Sequence, residues 1–134
     1  MRMNLKRLKK YVRSFFKTTK KAPVSDPEEK VFIDKELYIP KKCIKYIVDS
    51  RKDDNYDLKK VMTTFKRISK TIKEFKIDIA NTNPRYPTSR ISIKIYPREN
   101  VALIVVYQPE KKNKRIFNSY YRPADKIRRR YNIK

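Results

Sequence analysis

The sequence predicts an α+β fold, an antiparallel three- to four-stranded sheet packed on one long amphipathic helix, with a basic amphipathic N-terminal helix ahead of it. Two patterns carry this expectation. Within 90–121, Ile91, Ile93 and Ile95 alternate with polar residues, and Val101 to Tyr107 then runs apolar without a break. These are the signatures of a half-buried strand beside one covered on both faces. Within 58–76, Leu58, Val61, Met62, Phe65, Ile68, Ile72 and Phe75 recur at the three- and four-residue spacing of a single helical face. A third observation concerns partners: 37 Lys and Arg against 14 Asp and Glu give a formal net charge of +23 on 134 residues. Self-repulsion of that size opposes compaction and points to a polyanion that offsets it.

Taken in order, the chain divides into a basic arm and Pro-containing linker over 1–30, a compact domain over 31–122 and a basic tail over 123–134. Residues 1–21 carry nine cations, Arg2 among them, and no acid. At ~100° per residue, Leu5, Leu8, Val12, Phe15 and Phe16 share one helical face, opposite Lys6, Lys10 and Arg13. Leu5, Lys6, Lys9, Lys10, Val12, Arg13, Phe15 and Phe16 are the candidate membrane-binding residues, with the phenylalanines in the acyl boundary and the cations on anionic headgroups. A nucleic-acid arm, a mitochondrial presequence and simple packing of the apolar face on the domain compete with that reading.

Pro23 and Pro27, with the sudden acidity of Asp26, Glu28 and Glu29, end the helix and mark a linker. Val31 to Ile39 reads as a strand. Pro40 suits the first turn of a helix carrying Cys43, Ile44, Ile47 and Val48, with a strand through Ile44, Tyr46 and Val48 as the alternative. Asp53-Asp54-Asn55 forms a polar break, and Asp57 stands where an N-cap belongs. The helix from Leu58 to about Lys76 presents Lys59, Lys66, Arg67, Lys70 and Lys73 opposite its apolar stripe, a ridge of nearly one sign. A helix face tuned only for solubility usually mixes signs.

Residues 81–89, NTNPRYPTS, form a loop whose Arg85 and Tyr86 are candidate ligand contacts beside the ordinary surface-loop reading. The meander follows, with turns at Pro97-Arg98-Glu99-Asn100 and Pro109 to Lys114, and a last strand through Ile116, Phe117, Tyr120 and Tyr121. The tail holds Lys126, Arg128, Arg129, Arg130 and Lys134 as a second basic cluster.

Absences narrow the chemistry. With no His, the chain lacks the commonest general base near neutral pH. With no Gly, phosphate-cradling loops of the dinucleotide and P-loop kinds are excluded, because their backbones need residues without side chains. Cys43 is single, so no internal disulfide forms, and the expected setting is intracellular, in host cytoplasm or a virion and in part membrane-associated. A small buried hydrophobe is the expected role of that thiol. No apolar run reaches ~18 residues. Glu28-Glu29 and Asp53-Asp54 are adjacent in sequence and point apart in extended chain, so neither is a paired acid and base. No cofactor and no metal site is expected.

The function that follows is non-enzymatic binding of polyanions, RNA ahead of DNA, with an anionic membrane surface and self-assembly as further partners. The nucleic-acid-binding residues expected are Lys59, Lys66, Arg67, Lys70, Lys73, Arg128, Arg129 and Arg130. Tyr96, Tyr107, Tyr120 and Tyr121 lie on or beside strands, where an exposed ring stacks on an unpaired base. The layout of a Lys-rich amphipathic start, the acidic linker PVSDPEE and a basic α+β domain resembles the matrix proteins of negative-strand RNA viruses. That resemblance implies a viral structural role bridging nucleocapsid and membrane; the family's proline-tyrosine budding motif is not present. The order of helix and antiparallel sheet over Asp57 to Tyr121 also resembles the small ribonuclease toxins of the RelE type. On that alternative, Lys94, Arg115, Tyr120 and Tyr121 are the catalytic candidates.

Overall fold

The computed structural model describes residues 5–52 and 57–133. The expected polar break at Asp53-Asp54-Asn55, and the end residues Arg2 and Lys134 of the two basic clusters, lie outside them. The described chain is α+β. Its elements are α1 (Leu5–Lys17), β1 (Lys30–Asp34), β2 (Leu37–Pro40), α2 (Lys41–Lys52), α3 (Leu58–Lys73), β3 (Ile77–Ala80), β4 (Arg90–Tyr96), β5 (Val101–Pro109), β6 (Lys114–Pro123) and α4 (Ala124–Tyr131). The strands form one sheet in the order β1-β2-β6-β5-β4-β3.

The meander read from 90–121 is the sheet's centre. β4 pairs with β5 from Arg90↔Tyr107 to Tyr96↔Val101, and β5 pairs with β6 from Val101↔Pro123 to Pro109↔Lys114. The sheet around it differs from the expected antiparallel one of three to four strands on a single long helix: among the described residues it has six strands, is mixed, and is served by four helices. Three causes account for the difference. The apolar stretch 31–39 doubles back at Asp34, so it forms a hairpin of two short strands, Val31 opposite Ile39. Ile77–Ala80 is a four-residue strand hidden by Asp78, whose carboxylate is satisfied by Ser92, Tyr107 and Arg90. The parallel join of β2 to β6 spans only Leu37↔Lys114 and Tyr38↔Arg115, partners too distant in sequence for any local pattern to reveal.

Helices α1, α2 and α3 lie on one side of the sheet, where the main core gathers Leu8, Val12, Phe15, Ile44, Ile47, Phe65, Ile68, Leu103, Val105 and Ile116. Asp57 caps α3, its side chain accepting from the Lys60 N–H at 2.8 Å. The helix stops at Lys73, so Phe75 leaves the apolar stripe and is 49% exposed. The stretch after Pro40 is helical rather than extended, and it buries Cys43. Burial pushes the Cys43 thiol up, which disfavours the reactive thiolate.

The arm does not stand apart from this body. Leu8, Val12 and Phe15 of α1 are buried against the domain. Below the helix end, the buried Lys45 ammonium donates to the carbonyls of Thr19 at 3.0 Å and Lys20 at 3.1 Å and to Asp49 at 2.6 Å. The Lys52 ammonium bonds the Thr18 carbonyl. These two cations thereby tie the turn that follows α1 to α2. The tail likewise forms α4, closed by Asn132 in the left-handed region at φ 53°. It covers part of the opposite side of the sheet, where Ile93, Ala102, Ile104 and Ile127 make a second, smaller core.

Candidate nucleic-acid interface

Strand alternation sorts β6 into two sets. Ile116, Ser119 and Tyr121 turn toward the three helices, whereas Asn118, Tyr120 and Arg122 turn to the other side of the sheet. That other side is only partly roofed, because α4 is two turns long and reaches over β5 and β6. What remains open is a pair of adjoining depressions. One, of about 410 Å³, lies between α2, the 81–86 loop and β6, and is lined by residues including Tyr46, Arg51, Arg85, Tyr86, Asn118, Tyr120 and Arg122. The other, of about 490 Å³, lies beneath α4 over Ile91, Ile93 and Ile104, and adds Lys126, Arg130 and Tyr131. Asn81, Asn83, Ile91, Tyr120 and Arg122 line both.

Among the described residues no Asp or Glu lines either depression. Arg85, Arg122, Lys126 and Arg130 are exposed there, while Arg51 is buried with its guanidinium 5.5 Å from the Tyr121 ring centre. The exposed cations alternate with aromatic rings. The Arg122 guanidinium sits 4.4 Å from the centre of the Tyr120 ring, Arg130 stands 5.6 Å from that of Tyr131, and Arg85 stands 5.9 Å from that of Tyr86. Tyr46, at 59% exposure, is a large side chain that the fold leaves almost bare.

The loop that forms one wall is held by its own polar side chains. The Asn81 N–H donates to the Ser89 carbonyl at 2.9 Å, the Asn81 amide donates to Ser89 Oγ at 3.0 Å, and Ser89 Oγ donates to the Tyr86 carbonyl at 2.7 Å. Asn83 Oδ1 accepts the Arg85 N–H at 3.0 Å, and the Tyr86 ring tilts against Phe117 at 5.5 Å. Arg85 and Tyr86 are thereby fixed beside the groove, in a loop where composition had offered them only as candidates.

The residues expected to bind from α3 lie on the far side of the molecule. Lys59, Lys66 and Lys70 are exposed in a row, but Arg67 and Lys73 are committed to acids. Arg67 donates to Glu99 at 2.7 Å and to the Tyr121 hydroxyl at 3.3 Å, with its guanidinium 4.2 Å from the Tyr96 ring centre. Lys73 pairs with Asp34 and holds its carboxyl below the usual carboxylate range, against the opposing effect of burial. The tail cluster divides: Arg130 enters the groove, Arg129 is exposed, and Arg128 bonds Asp125 at 3.3 Å. All three also stand in the last turn of α4, where cations complement the helix dipole without any ligand.

Of the four tyrosines read as stacking candidates, Tyr120 alone reaches the groove. Tyr107 is buried and donates to Asp78 at 2.5 Å, Tyr96 meets Thr71 at 3.2 Å, and Tyr121 meets Thr64 at 3.0 Å beneath α3. The period-2 alternation of a strand already separates Tyr120 from Tyr121, and that was the available signal. Tyr46 and Arg122 carried no comparable one. The ribonuclease candidates do not converge: Lys94 pairs with Glu74 at 3.4 Å, Arg115 with Glu28 at 2.9 Å, and Tyr120 and Tyr121 face opposite sides of the sheet.

For α1, Lys6, Lys9, Lys10 and Arg13 are exposed, Leu5 is 40% exposed and Phe16 is half-buried. Val12 and Phe15 are buried, so the apolar face proposed for an acyl layer is the one packed on the domain. Among the described residues no helix is long and apolar enough to cross a membrane, and no group of three or more His, Cys, Asp or Glu is placed to hold a metal ion. No protein-family model, curated protein or solved structure matches the chain.

Proposed function

We propose that this protein binds RNA through the open side of its sheet, as a polyanion-binding protein without catalytic activity of its own. One observation carries the reading: a groove lined by Arg85, Arg122, Lys126 and Arg130, with four tyrosines among them and, among the described residues, no acid, in a chain that otherwise pairs many of its cations. Each exposed cation that neutralises a phosphate releases a counterion. Four such contacts give roughly a third-power dependence of affinity on salt for a single strand, before other cations of the surface add to it. The α3 row of Lys59, Lys66 and Lys70 supplies exposed charge and contributes to that background.

The matrix-like role belongs to the same proposal, with RNA held in the groove and an anionic membrane met by Lys6, Lys9, Lys10 and Arg13 of α1. Charge alone would serve there, since the apolar face of α1 is occupied. The test compares retention of labelled RNA and of phosphatidylserine vesicles by the intact protein and by two triple variants. Arg122→Glu/Lys126→Glu/Arg130→Glu is expected to lower RNA affinity by at least tenfold more than Lys59→Glu/Lys66→Glu/Lys70→Glu. The opposite ranking moves the site to α3. Tighter retention on vesicles than on RNA at equal anionic charge replaces RNA by a membrane surface.

A further inference from the structure

The groove has a feature that phosphate binding alone does not require. Its cations stand beside aromatic faces, and the half-buried Ile91 lies among them above the buried Ile93 and Ile104. A double helix presents a convex row of phosphates and keeps its base faces stacked inside, so it would leave these rings in water. A single strand exposes both halves of the chemistry, phosphates for the guanidinium groups and flat apolar bases for the rings.

We infer that the groove is a site for single-stranded nucleic acid, in which Tyr120 and Tyr46 are stacking platforms for unpaired bases. This rests on the RNA-binding reading above and specifies its ligand. Tyr120 stands between the two depressions, and the Arg122 guanidinium 4.4 Å from its ring centre makes a mixed cation and aromatic surface. Tyr46 of α2 lines the first of these depressions and is 59% exposed, which leaves its ring accessible to a base.

The surrounding amides offer donors to base edges as well as to phosphates. Asn83 and Asn118 each use the side-chain oxygen on a backbone N–H, at 3.0 Å to Arg85 and 2.8 Å to Ser119, which leaves each NH₂ group to donate to base-edge acceptors. The wall is already ordered by Asn81 and Ser89, which lowers the entropy lost when a ligand enters. Stacking of this kind accepts any base, so no sequence preference is implied.

The experiment measures anisotropy of three labelled probes at one salt concentration: a 12-nucleotide RNA strand, the DNA strand of the same sequence, and the blunt duplex of that RNA. The single strand is expected to bind at least tenfold tighter than the duplex. Tyr46→Ala and Tyr120→Leu should each weaken the strand by roughly 5- to 150-fold, the range for loss of one stacked base. Neither should change the slope of affinity with salt, nor binding of the duplex. Leucine keeps the apolar packing of residue 120, and the exposed Tyr46 carries the test should Tyr120→Leu unfold. Equal binding of RNA and DNA strands supports stacking with phosphate contact alone, and a preference for RNA adds contacts to the 2′-hydroxyl. Duplex binding as tight as the strand, or tyrosine variants that bind like the wild type, overturns the inference. If the Arg122, Lys126 and Arg130 reversal still weakens binding in that case, polyanion binding stands without the stacking site; if it too has no effect, both fall.

Discussion

Asp78 is an acid that the strand pattern disfavours, and its surroundings explain how β3 exists. Burial opposes its charge, yet Ser92 and Tyr107 each donate at 2.5 Å and the Arg90 guanidinium at 2.6 Å, and together they hold the carboxyl below its ordinary range. A folded pKa below the unfolded value of about 4 means stability that is complete above that value and lost as pH falls through the folded one. Asp78→Asn removes the charge that pairs with Arg90 and puts an NH₂ group where one of the two oxygens accepted, and it should cost about 2 kcal/mol near neutral pH, measured by urea unfolding. It should also flatten the loss of stability below about pH 4, where the wild-type carboxylate takes up its proton. Other single residues replace the missing glycines. Asn100 at φ 55° closes the turn read from Pro97 to Asn100, and Asn132 at φ 53° ends α4. The first was legible because Asn tolerates that region. The Asp78 cluster was not, since its donors lie 12 to 29 positions away in sequence.

At the level of elements, the sequence shows what each segment is and much less of where it goes. The apolar stripes of α1 and α3 and the three central strands were readable from their periods, because burial on one face imposes a period on the chain. The destination of the α1 stripe was not, because an apolar face looks the same whether a bilayer or a protein covers it. Its cover is α2, α3 and β1, with Lys45 and Lys52 bonded to the carbonyls after its last turn. Val12→Asp should therefore destabilise the whole domain by about 3 kcal/mol or more, through an unpaired buried charge. Thermal melting followed by circular dichroism checks this, and a melting curve unchanged from the wild type would mean that α1 detaches as an independent arm. Lys45→Met tests the same junction from below: losing the donor to Thr19, Lys20 and Asp49 leaves a carboxylate with one fewer partner, and about 2 kcal/mol of stability should go with it. The groove shows the corresponding gap in legibility. Arg85, Tyr86 and Tyr120 were visible as residue types worth weighing, whereas their meeting with Tyr46, Arg122 and Arg130 depends on α2, β6 and α4 being brought around one groove by the tertiary fold.

For the molecule as a whole, the balance of 37 cations against 14 acids sets a sign that no single contact sets. Ion pairs use the few acids available, as at Arg7 with Glu29, Arg67 with Glu99 and Arg115 with Glu28, and exposed cations remain on α1, on α3 and around the groove. Added salt weakens both the pairs and the repulsion, and with an excess of 23 positive charges the repulsion is the larger quantity. Raising ionic strength from about 0.01 M to about 0.1 M shortens the screening length from ~30 Å to ~10 Å, and it should raise the melting temperature, by roughly 4 °C for each kcal/mol of repulsion removed. Over the same range RNA affinity should fall by orders of magnitude, because bound counterions are no longer released into dilute solution. The two responses thus carry opposite signs. At low salt, a strand at ~100 times its dissociation constant should restore about 2.7 kcal/mol of stability, by binding the folded state alone. Scanning calorimetry with and without the strand at both salt concentrations separates the cases. A melting temperature that falls with salt would show that the ion pairs outweigh the excess charge, and would remove the physical reason for expecting a polyanion at all.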